Sequence, residues 1–275
     1  MQGIFNPTED ALRSYIHEEG LFYTLNRIGQ VELRNLRKED KEFSHEKFYN
    51  NECDAYNYLY YENFSCYHNE AKGSDYFRRG CFIKEGMKVL DLGANIGMFA
   101  MSAIERGASK VYCFEPIRAT YNCLMLNSLR YPENEIETYN IGISDFSGTS
   151  TFSLHTDWSH NGGGKMNSLQ NADKNSFYSE NCAMIDVVSV FEDPIWGDVD
   201  FLKIDIEGAE QMVLSKIPDK ALIRLECIAG EFHCHSAEFQ IFQDSFIARC
   251  HNFGFQSYVL YQGDGTLRTI HLWKD

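Results

Sequence analysis

The sequence lacks the features of a disulfide-stabilised, zinc-binding or membrane-spanning protein. Its nine cysteines are odd in number and scattered, and none forms a Cys-x-x-Cys pair, which disfavours both a disulfide framework and a zinc ribbon. No apolar run is long enough to span a bilayer, and the charged first ten residues show no signal-peptide pattern. We therefore expect a cytoplasmic protein whose cysteines act as small buried apolar residues.

Positive charge is also scarce. The 275 residues include 25 lysines and arginines against 40 aspartates and glutamates, which gives a formal net charge of -15. This excess opposes the counterion-release attraction on which nucleic-acid and anionic-membrane binders rely. We expect neither a nucleic acid nor a membrane as partner, and a neutral or cationic ligand fits better. The oligomeric state is left open by the sequence.

The chain has no internal repeat or low-complexity linker, and its 44% hydrophobic content supports one elaborated domain with an annex. We predict an N-terminal helical, aromatic-rich cap over residues 1–80 and the main domain over residues 81–275. Apolar residues between positions 21 and 28 have helical spacing. Residues 43–82 hold 12 aromatics. They are interpreted as a packing surface or, alternatively, as the walls of a substrate pocket.

From residue 87 onward, short apolar strands alternate with helices. The predicted strands are MKVLDLG, KVYCFE, IETYNIGI, VDFLKIDI and LIRLECIA. Near-continuous apolar strands separated by helices indicate a parallel sheet that is covered on both faces. The last segment, FQSYVLYQ-GDG-TLRTIHLW, instead predicts an antiparallel hairpin. The fold class is therefore α/β, with a Rossmann-like, mostly parallel twisted sheet that ends in an antiparallel hairpin.

One segment interrupts this alternation. Residues 155–182 are polar, contain three consecutive glycines and show little periodicity, which predicts a loop far longer than ordinary connections. Loops of this length are usually functional or disordered, and we interpret this one as a lid.

A ligand-binding turn is indicated at the end of the first strand, in Asp91-Leu92-Gly93-Ala94-Asn95-Ile96-Gly97. Gly93 and Gly97 permit a sharp turn and a close approach of the backbone to a ligand. Glu115 ends the next strand, where an acid can accept hydrogen bonds from both ribose hydroxyls. Because the Gly-x-Gly-x-x-Gly spacing of a dinucleotide site is missing and an acid precedes the turn, S-adenosylmethionine fits better than a pyrophosphate. The alternative is that both glycines serve only strand–helix packing.

A second group of acids follows the buried strand VDFLKIDI, in the motif KIDIEGAE at residues 203–210. Asp205 and Glu207 are predicted at the carboxyl edge of the sheet, where open α/β sheets place their ligands. Glu210 falls in the first turn of the next helix, where interaction with the helix dipole explains it better than catalysis.

These motifs resemble the FkbM family of S-adenosylmethionine-dependent methyltransferases. The resemblance covers about residues 80–273, and KIDIEGAE is its most specific part. It implies a class I methyltransferase fold and O-methylation of a hydroxyl on a sugar, glycan or small natural product. It also implies that Asp91, Gly93 and Gly97 hold the methionine end of S-adenosylmethionine and that Asn95, in the same turn, binds the cofactor.

The resemblance assigns the remaining site residues as well. Glu115 would hold the ribose, and the turn after the third strand, with Ser144 and Asp145, would border the adenine. Asp205 and Glu207 would face the reactive centre. Two alternatives remain: methylation of a protein or other macromolecule, and a non-catalytic scaffold that keeps the cofactor fold.

Methylation of a hydroxyl is helped by a general base, for which Asp205, Glu207 and His233 are candidates. The segment Glu231-Phe232-His233-Cys234-His235 would place alternate side chains on one face if it stays extended. The alternative is that these histidines are merely exposed or hydrogen-bonded in a loop. Asp205 with Glu207, Glu231 or His233 also offers ligands suited to Mg²⁺. Because the sequence has no dedicated metal motif, a metal is not part of the prediction.

Overall fold

The computed structural model describes residues 21–25, 30–35, 76–132, 135–155, 165–166, 177–233, 236–262 and 267–275. Its strands are β1 (Leu21–Leu25), β2 (Val31–Asn35), β3 (Lys88–Leu92), β4 (Lys110–Phe114), β5 (Ile136–Tyr139), β6 (Gly142–Ser144), β7 (Gly148–His155), β8 (Lys165–Met166), β9 (Phe177–Asp186), β10 (Phe201–Ile204), β11 (Cys227–His233), β12 (Gln256–Gln262) and β13 (Leu267–Trp273). Its helices are α1 (Met98–Glu105), α2 (Arg118–Ser128), α3 (Val187–Glu192), α4 (Glu210–Leu214), α5 (Asp219–Arg224) and α6 (Ala237–Asn252).

A seven-stranded sheet forms the centre of the fold, in the order β12-β13-β11-β10-β3-β4-β5. Strands β11, β10, β3, β4 and β5 run parallel to one another, whereas β13 pairs antiparallel with both β11 and β12. This topology confirms the predicted α/β class, with a Rossmann-like sheet that is mostly parallel and ends in an antiparallel hairpin.

Side chains of the parallel strands alternate between two cores, one on each face of the sheet. Val89 and Val111 pack into one core, which holds the buried residues of α1 and α2. Leu90 and Tyr112, one position later, pack into the other core with α3 and with Phe246 of α6. Burial on both faces explains why these strands are almost continuously apolar.

A second sheet, in the order β6-β9-β7-β8, was not predicted. The segment IETYNIGI, expected as one strand, divides into β5 of the central sheet and β6 of the second sheet. The predicted loop over residues 155–182 is wrong at its C-terminal end, because β9 begins at Phe177 and pairs antiparallel with β7. Its Cys182 and Met184 are buried while alternate residues face solvent, a half-polar pattern that hides the strand. The proposed lid would lie mainly in residues 156–164 and 167–176, outside the described ranges.

The N-terminal segment is also corrected in part. Leu21–Leu25 is a strand that pairs antiparallel with Val31–Asn35, so the helix expected there is wrong. Five residues are too few to separate helical from strand spacing. Most of the aromatic-rich segment lies outside the described ranges. Within them, Tyr76 and Phe77 are buried against Phe99, at ring centroid distances of 5.6 and 5.2 Å.

The described cysteines are free and buried, as predicted. They are Cys81, Cys113, Cys123, Cys182, Cys227 and Cys250. Among the described residues, no helix has the length and apolar character that a membrane crossing requires.

One buried side chain connects the N-terminal hairpin to the predicted ligand-binding turn. Asn127, in α2, accepts a hydrogen bond from the backbone nitrogen of Tyr23 at 2.6 Å. Its amide nitrogen donates to the carbonyl oxygens of Tyr23 and Ile96, at 2.9 and 2.8 Å. The side chain thereby holds strand β1 against α2 and supports the turn that precedes α1.

We expect Asn127→Ala to lower the free energy of unfolding by about 2 kcal/mol, because the substitution removes these hydrogen bonds at a buried position. Urea denaturation measures the change. Asn252→Ala, at the exposed end of α6, is the control and should change the free energy by less than about 0.5 kcal/mol. Equal losses in both variants would contradict the bridging role of Asn127.

Candidate active site

The carboxyl ends of β3, β4, β10 and β11 meet at one edge of the central sheet, and most predicted site residues lie there. Asp91 is the penultimate residue of β3, and Glu115 directly follows β4. Asp205 and Glu207 follow β10, and His233 ends β11. Since these strands are parallel neighbours, the structure brings the predicted carboxylates and the histidine to a common edge.

The turn after β3 has left-handed backbone conformations at Gly93, Asn95 and Gly97, with φ of 78°, 52° and 93°. A Cβ on Gly93 would lie 1.8 Å from the carbonyl oxygen of Asp205, and one on Gly97 would lie 2.8 Å from Leu124. Close packing against the Asp205 backbone therefore requires glycine at position 93, whereas at position 97 the left-handed backbone is the stronger reason, since the Leu124 side chain can move. Any contact of these glycines with a ligand would be made by their backbone atoms.

Glu115, directly after β4, is buried and binds the backbone of the turn that follows β3. One carboxylate oxygen accepts a hydrogen bond from the backbone nitrogen of Asn95 at 3.0 Å, and the other accepts one from that of Ile117 at 2.9 Å. Burial raises the pKa of Glu115 to about 7, although these two hydrogen bonds and the charge of Lys203 act in the opposite direction. Each oxygen keeps acceptor capacity for a further donor, such as a ribose hydroxyl.

The predicted adenine border is built differently from the other site residues. Ser144 is buried at the end of β6, in the second sheet, and its hydroxyl exchanges hydrogen bonds with the backbone of Phe146. Asp145 is exposed. The segment approaches the Glu115 loop through Gly142, where a Cβ would lie 3.1 Å from Pro116. Ser144 therefore shapes this turn, and Asp145 is accessible to a ligand.

Lys203 is a buried cation that sequence reasoning missed. Its ammonium donates a hydrogen bond to the carbonyl oxygen of Gly93 at 2.6 Å and lies 3.2 Å from an oxygen of Asp91. It is 4.0 Å from an oxygen of Asp205, and the rings of Tyr76 and Phe99 flank it at 5.4 and 5.9 Å. A lysine inside an otherwise apolar strand was the available signal, since such a residue is rarely buried without partners.

Asp91 is completely buried beside this ammonium. Burial raises its pKa, whereas the charge of Lys203 lowers it and the charge of Asp205 raises it further. Within the described residues, neither oxygen of Asp91 receives a hydrogen bond of normal geometry. The structure thus gives Asp91 a role different from the predicted contact with methionine: it balances the charge of Lys203 and so fixes the turn.

Asp205 directly follows β10 and contacts Tyr76, at the edge of the aromatic-rich segment. The hydroxyl of Tyr76 donates a hydrogen bond to its Oδ2 at 2.8 Å. Its Oδ1 is buried and has no hydrogen-bond partner among the described residues. An aromatic residue from the edge of the aromatic-rich segment therefore both packs in the core and orients a candidate base.

Glu210 holds the second turn of the site. It is completely buried and accepts hydrogen bonds from the backbone nitrogens of Ile206, at 3.2 Å, and Gly208, at 3.0 Å. Between them, Glu207 has a φ of 54°, which a non-glycine residue rarely adopts. Glu210 therefore stabilises an unfavourable turn that presents Glu207, which is more than the predicted interaction with the helix dipole.

His233 lies between these two glutamates. Its Nδ1 is 3.2 Å from Glu210, and its Nε2 is 3.3 Å from Glu207. Burial alone would lower the pKa of His233, but hydrogen bonding to Glu210 and the charges of Glu210, Glu207 and Asp205 outweigh it and raise the pKa to about 9. The ring is therefore protonated at neutral pH. In this state it cannot act as the predicted general base, so Asp205 and Glu207 remain the candidates.

Two further observations concern the edge around His233. The extended conformation expected for residues 231–235 is present in β11 as far as His233, and His235 lies outside the described ranges. Asp205, Glu231 and His233 each offer a metal-ligating atom, and these atoms lie within 4.8 Å of one another.

Comparison with known proteins identifies the family. The sequence model of the methyltransferase FkbM domain matches residues 91–255. The chain belongs to this family. The match spans the turn after β3, Glu115, KIDIEGAE and β11, and it confirms the predicted family.

The FkbM domain is also similar to individual proteins. It is 25% identical over 189 aligned positions to the AMB antimetabolite synthetase AmbE of Pseudomonas aeruginosa, a match that covers 58% of this chain and 9% of the synthetase. Among solved structures, it resembles a methyltransferase FkbM from Methylobacillus flagellatus KT, with 15% identity and a TM-score of 0.46. That match covers 68% of this chain and 43% of the other.

A further solved structure is that of TrmK from M. capricolum in complex with S-adenosyl-homocysteine. Its identity to the FkbM domain is 10%, its TM-score is 0.41, and the match covers 70% of this chain and 64% of TrmK. The chain thus spans less than half of the FkbM structure and a small part of the synthetase.

In the FkbM domain, we expect Lys203→Met to lower the free energy of unfolding by about 3–5 kcal/mol, because buried Asp91 loses its balancing charge. The double variant Lys203→Met with Asp91→Asn should lose less than the single variant, because no uncompensated carboxylate remains at position 91. Urea denaturation of both variants tests this.

Lys88→Met is the matched control in the neighbouring strand. Lys88 pairs with Asp198 at 2.6 Å, but both side chains are nearly half exposed, so its loss should cost about 1 kcal/mol or less. A double variant as unstable as Lys203→Met, or a control as unstable, would refute the charge-balancing role.

Proposed function

We propose that this protein is an S-adenosylmethionine-dependent O-methyltransferase whose acceptor is a hydroxyl of a sugar, glycan or small natural product. The observation that carries the proposal is the convergence of Glu115 with Asp205 and Glu207 at the carboxyl edge of an FkbM-family sheet. One acid suits the ribose of the cofactor, and the other two suit a hydroxyl that must lose its proton.

The hydrogen-bonding groups in the cofactor half of the site suit S-adenosylmethionine. Glu115 keeps hydrogen-bond acceptor capacity, and the glycine turn offers backbone atoms next to it. The same edge is rich in carboxylates, which favours a ligand that carries a sulfonium and an ammonium group. Asp91 and Lys203 would keep the turn in place without touching the ligand.

The acceptor half is polar and acidic. Asp205 and Glu207 are partly exposed, with about a quarter of each side chain accessible: 22% and 25%. Such carboxylates hydrogen-bond well to sugar or other hydroxyl groups. The similarity to a synthetase named for an antimetabolite supports a small natural product as one class of acceptor.

The residues of this chain would divide the chemistry between them. S-adenosylmethionine, when bound, supplies an electrophilic methyl group. Asp205 accepts the hydroxyl proton, and the hydrogen bond from Tyr76 to its Oδ2 orients the carboxylate. Protonated His233 holds Glu207 toward the acceptor, and Glu210 keeps His233 and the Glu207 turn in position. Positioning of this kind lowers the barrier by reducing the entropy lost in reaching the transition state.

Cofactor binding is tested by calorimetric titration with S-adenosylhomocysteine. We expect Glu115→Gln to weaken binding about tenfold or more, since hydrogen bonds to a charged acceptor contribute about 1.5–3 kcal/mol. Glu192→Gln, at an exposed position in α3, should leave the affinity unchanged. Absence of binding to the unmodified protein, together with binding of NAD, would overturn the proposed cofactor.

The same titration has a predictable pH dependence. The pKa of Glu115 is about 7 in the unliganded protein, so this group is mostly protonated at pH 6 and must lose the proton to accept both ribose hydrogen bonds. The affinity should therefore rise by roughly tenfold between pH 6 and pH 8. In Glu115→Gln the rise should disappear, and a rise that persists would assign the titration to another group.

Methyl transfer is tested with S-adenosylmethionine labelled in the methyl group and a cell extract that is separated into metabolite, glycan and macromolecule fractions. Label should appear in the metabolite or glycan fraction. Asp205→Asn should reduce the rate by about 10²–10⁴-fold, as expected for loss of a general base, while S-adenosylhomocysteine still binds. Asp244→Asn, at an exposed position in α6, is the control. Label in proteins or nucleic acids alone would favour the macromolecular alternative.

A further inference from the structure

Three side chains next to the candidate base form a compact group from two neighbouring strands. Glu231 and His233 are two positions apart in β11, so they project from the same face. Ile204, the last residue of β10, pairs with Gly230 of β11, so Asp205 and Glu231 each directly follow this pair. Their ligating atoms and that of His233 lie within 4.8 Å of one another, on side chains that are half-buried.

The orientation of the His233 ring is fixed by a carboxylate next to Nδ1, as is usual for histidines that bind metals. Its Nδ1 faces buried Glu210, which the backbone nitrogens of Ile206 and Gly208 hold in place. This leaves Nε2 directed toward Glu207 and the acidic edge. Metal-binding histidines commonly donate a hydrogen bond from the other ring nitrogen to a carboxylate, which fixes the orientation and tautomer of the ring.

Asp205 contributes the second independent observation. Its Oδ2 is occupied by the hydrogen bond from Tyr76. Its Oδ1 is buried, and among the described residues it has no hydrogen-bond donor. A buried carboxylate oxygen without a donor is costly unless a cation or another donor binds it.

We propose that Asp205, Glu231 and His233 bind one divalent transition-metal ion, with Glu207 beside it. Two carboxylates and one imidazole favour Mn²⁺ over Mg²⁺, because Mg²⁺ prefers oxygen ligands and retains its water. The three ligating atoms would have to move closer together to hold one ion, since they now lie within 4.8 Å of one another. On binding, the Nε2 proton of His233 passes to solvent.

The catalytic role of this ion rests on the proposed function, whereas the binding of the ion does not. If the acceptor is a hydroxyl, its oxygen can take an open position on the metal, which lowers the pKa of the hydroxyl group. Asp205 would then hold the metal, and the proton of the acceptor would pass to Glu207 or to solvent. The ion would thus change which carboxylate acts as the base.

The test is a titration of the full chain, freed of metal with EDTA and dialysed, with Mn²⁺ followed by electron paramagnetic resonance. We expect one Mn²⁺ bound per chain. Glu231→Gln and Asp205→Asn should each raise the dissociation constant at least about tenfold, as the loss of metal-site interactions does. Asp244→Asn is the control and should bind like the unmodified protein.

Binding of S-adenosylhomocysteine, measured in the same samples, separates the two proposals. If S-adenosylhomocysteine binds and Mn²⁺ at millimolar concentration does not, the metal site is wrong and the proposed cofactor stands. If Mn²⁺ binds and S-adenosylhomocysteine does not, the reverse holds. Retained S-adenosylhomocysteine binding in Glu231→Gln shows that the variant is folded. Equal Mn²⁺ affinity in all four proteins would place any bound ion elsewhere and overturn the inference.

Discussion

The site depends on one buried cation, the ammonium of Lys203. Lys203 lies in the central strand β10, and its ammonium contacts the carboxylate of Asp91 in the neighbouring strand β3 and the carbonyl oxygen of Gly93 in the turn that follows β3. Burying a carboxylate such as Asp91 without a partner would cost several kcal/mol, and the same is true of the ammonium. Each charge is tolerated because the other is present. The pair therefore ties together the ends of the two strands that carry the glycine turn and KIDIEGAE.

Tight packing around this pair determines the conformation of both turns. The carbonyl oxygen of Asp205 lies so close to Gly93 that no side chain fits there. On the other side, Glu207 keeps a left-handed backbone because Glu210 accepts hydrogen bonds from the nitrogens of its neighbours. Backbone strain of this kind persists only where surrounding contacts fix it. Asp205 and Glu207, the candidate ligand-binding acids, are thus kept in position by close packing at Gly93 and by Glu210.

The sequence predicts those parts of the fold that depend on local patterns. Buried parallel strands and the terminal hairpin have distinct local patterns, and both are present. The helix predicted at Leu21–Leu25 and the loop predicted at Phe177–Cys182 were wrong, because a short or half-polar strand has no unique period. In the site, the carboxylates were predictable from their place after apolar strands. Tyr76 was not, because its partner Asp205 is 129 positions away and only the folded chain joins them.

The charge balance at this edge explains why it should attract cations. Five carboxylates, those of Asp91, Asp205, Glu207, Glu210 and Glu231, surround two cationic side chains, Lys203 and His233. Lys203 lies on the side of the glycine turn, whereas His233 lies among the acids that follow β10 and β11. Because Coulomb energies are large where water is partly excluded, the unbalanced negative charge favours further positive groups. A sulfonium cofactor on the first side and a metal ion on the second would each reduce this imbalance without competing for the same carboxylates.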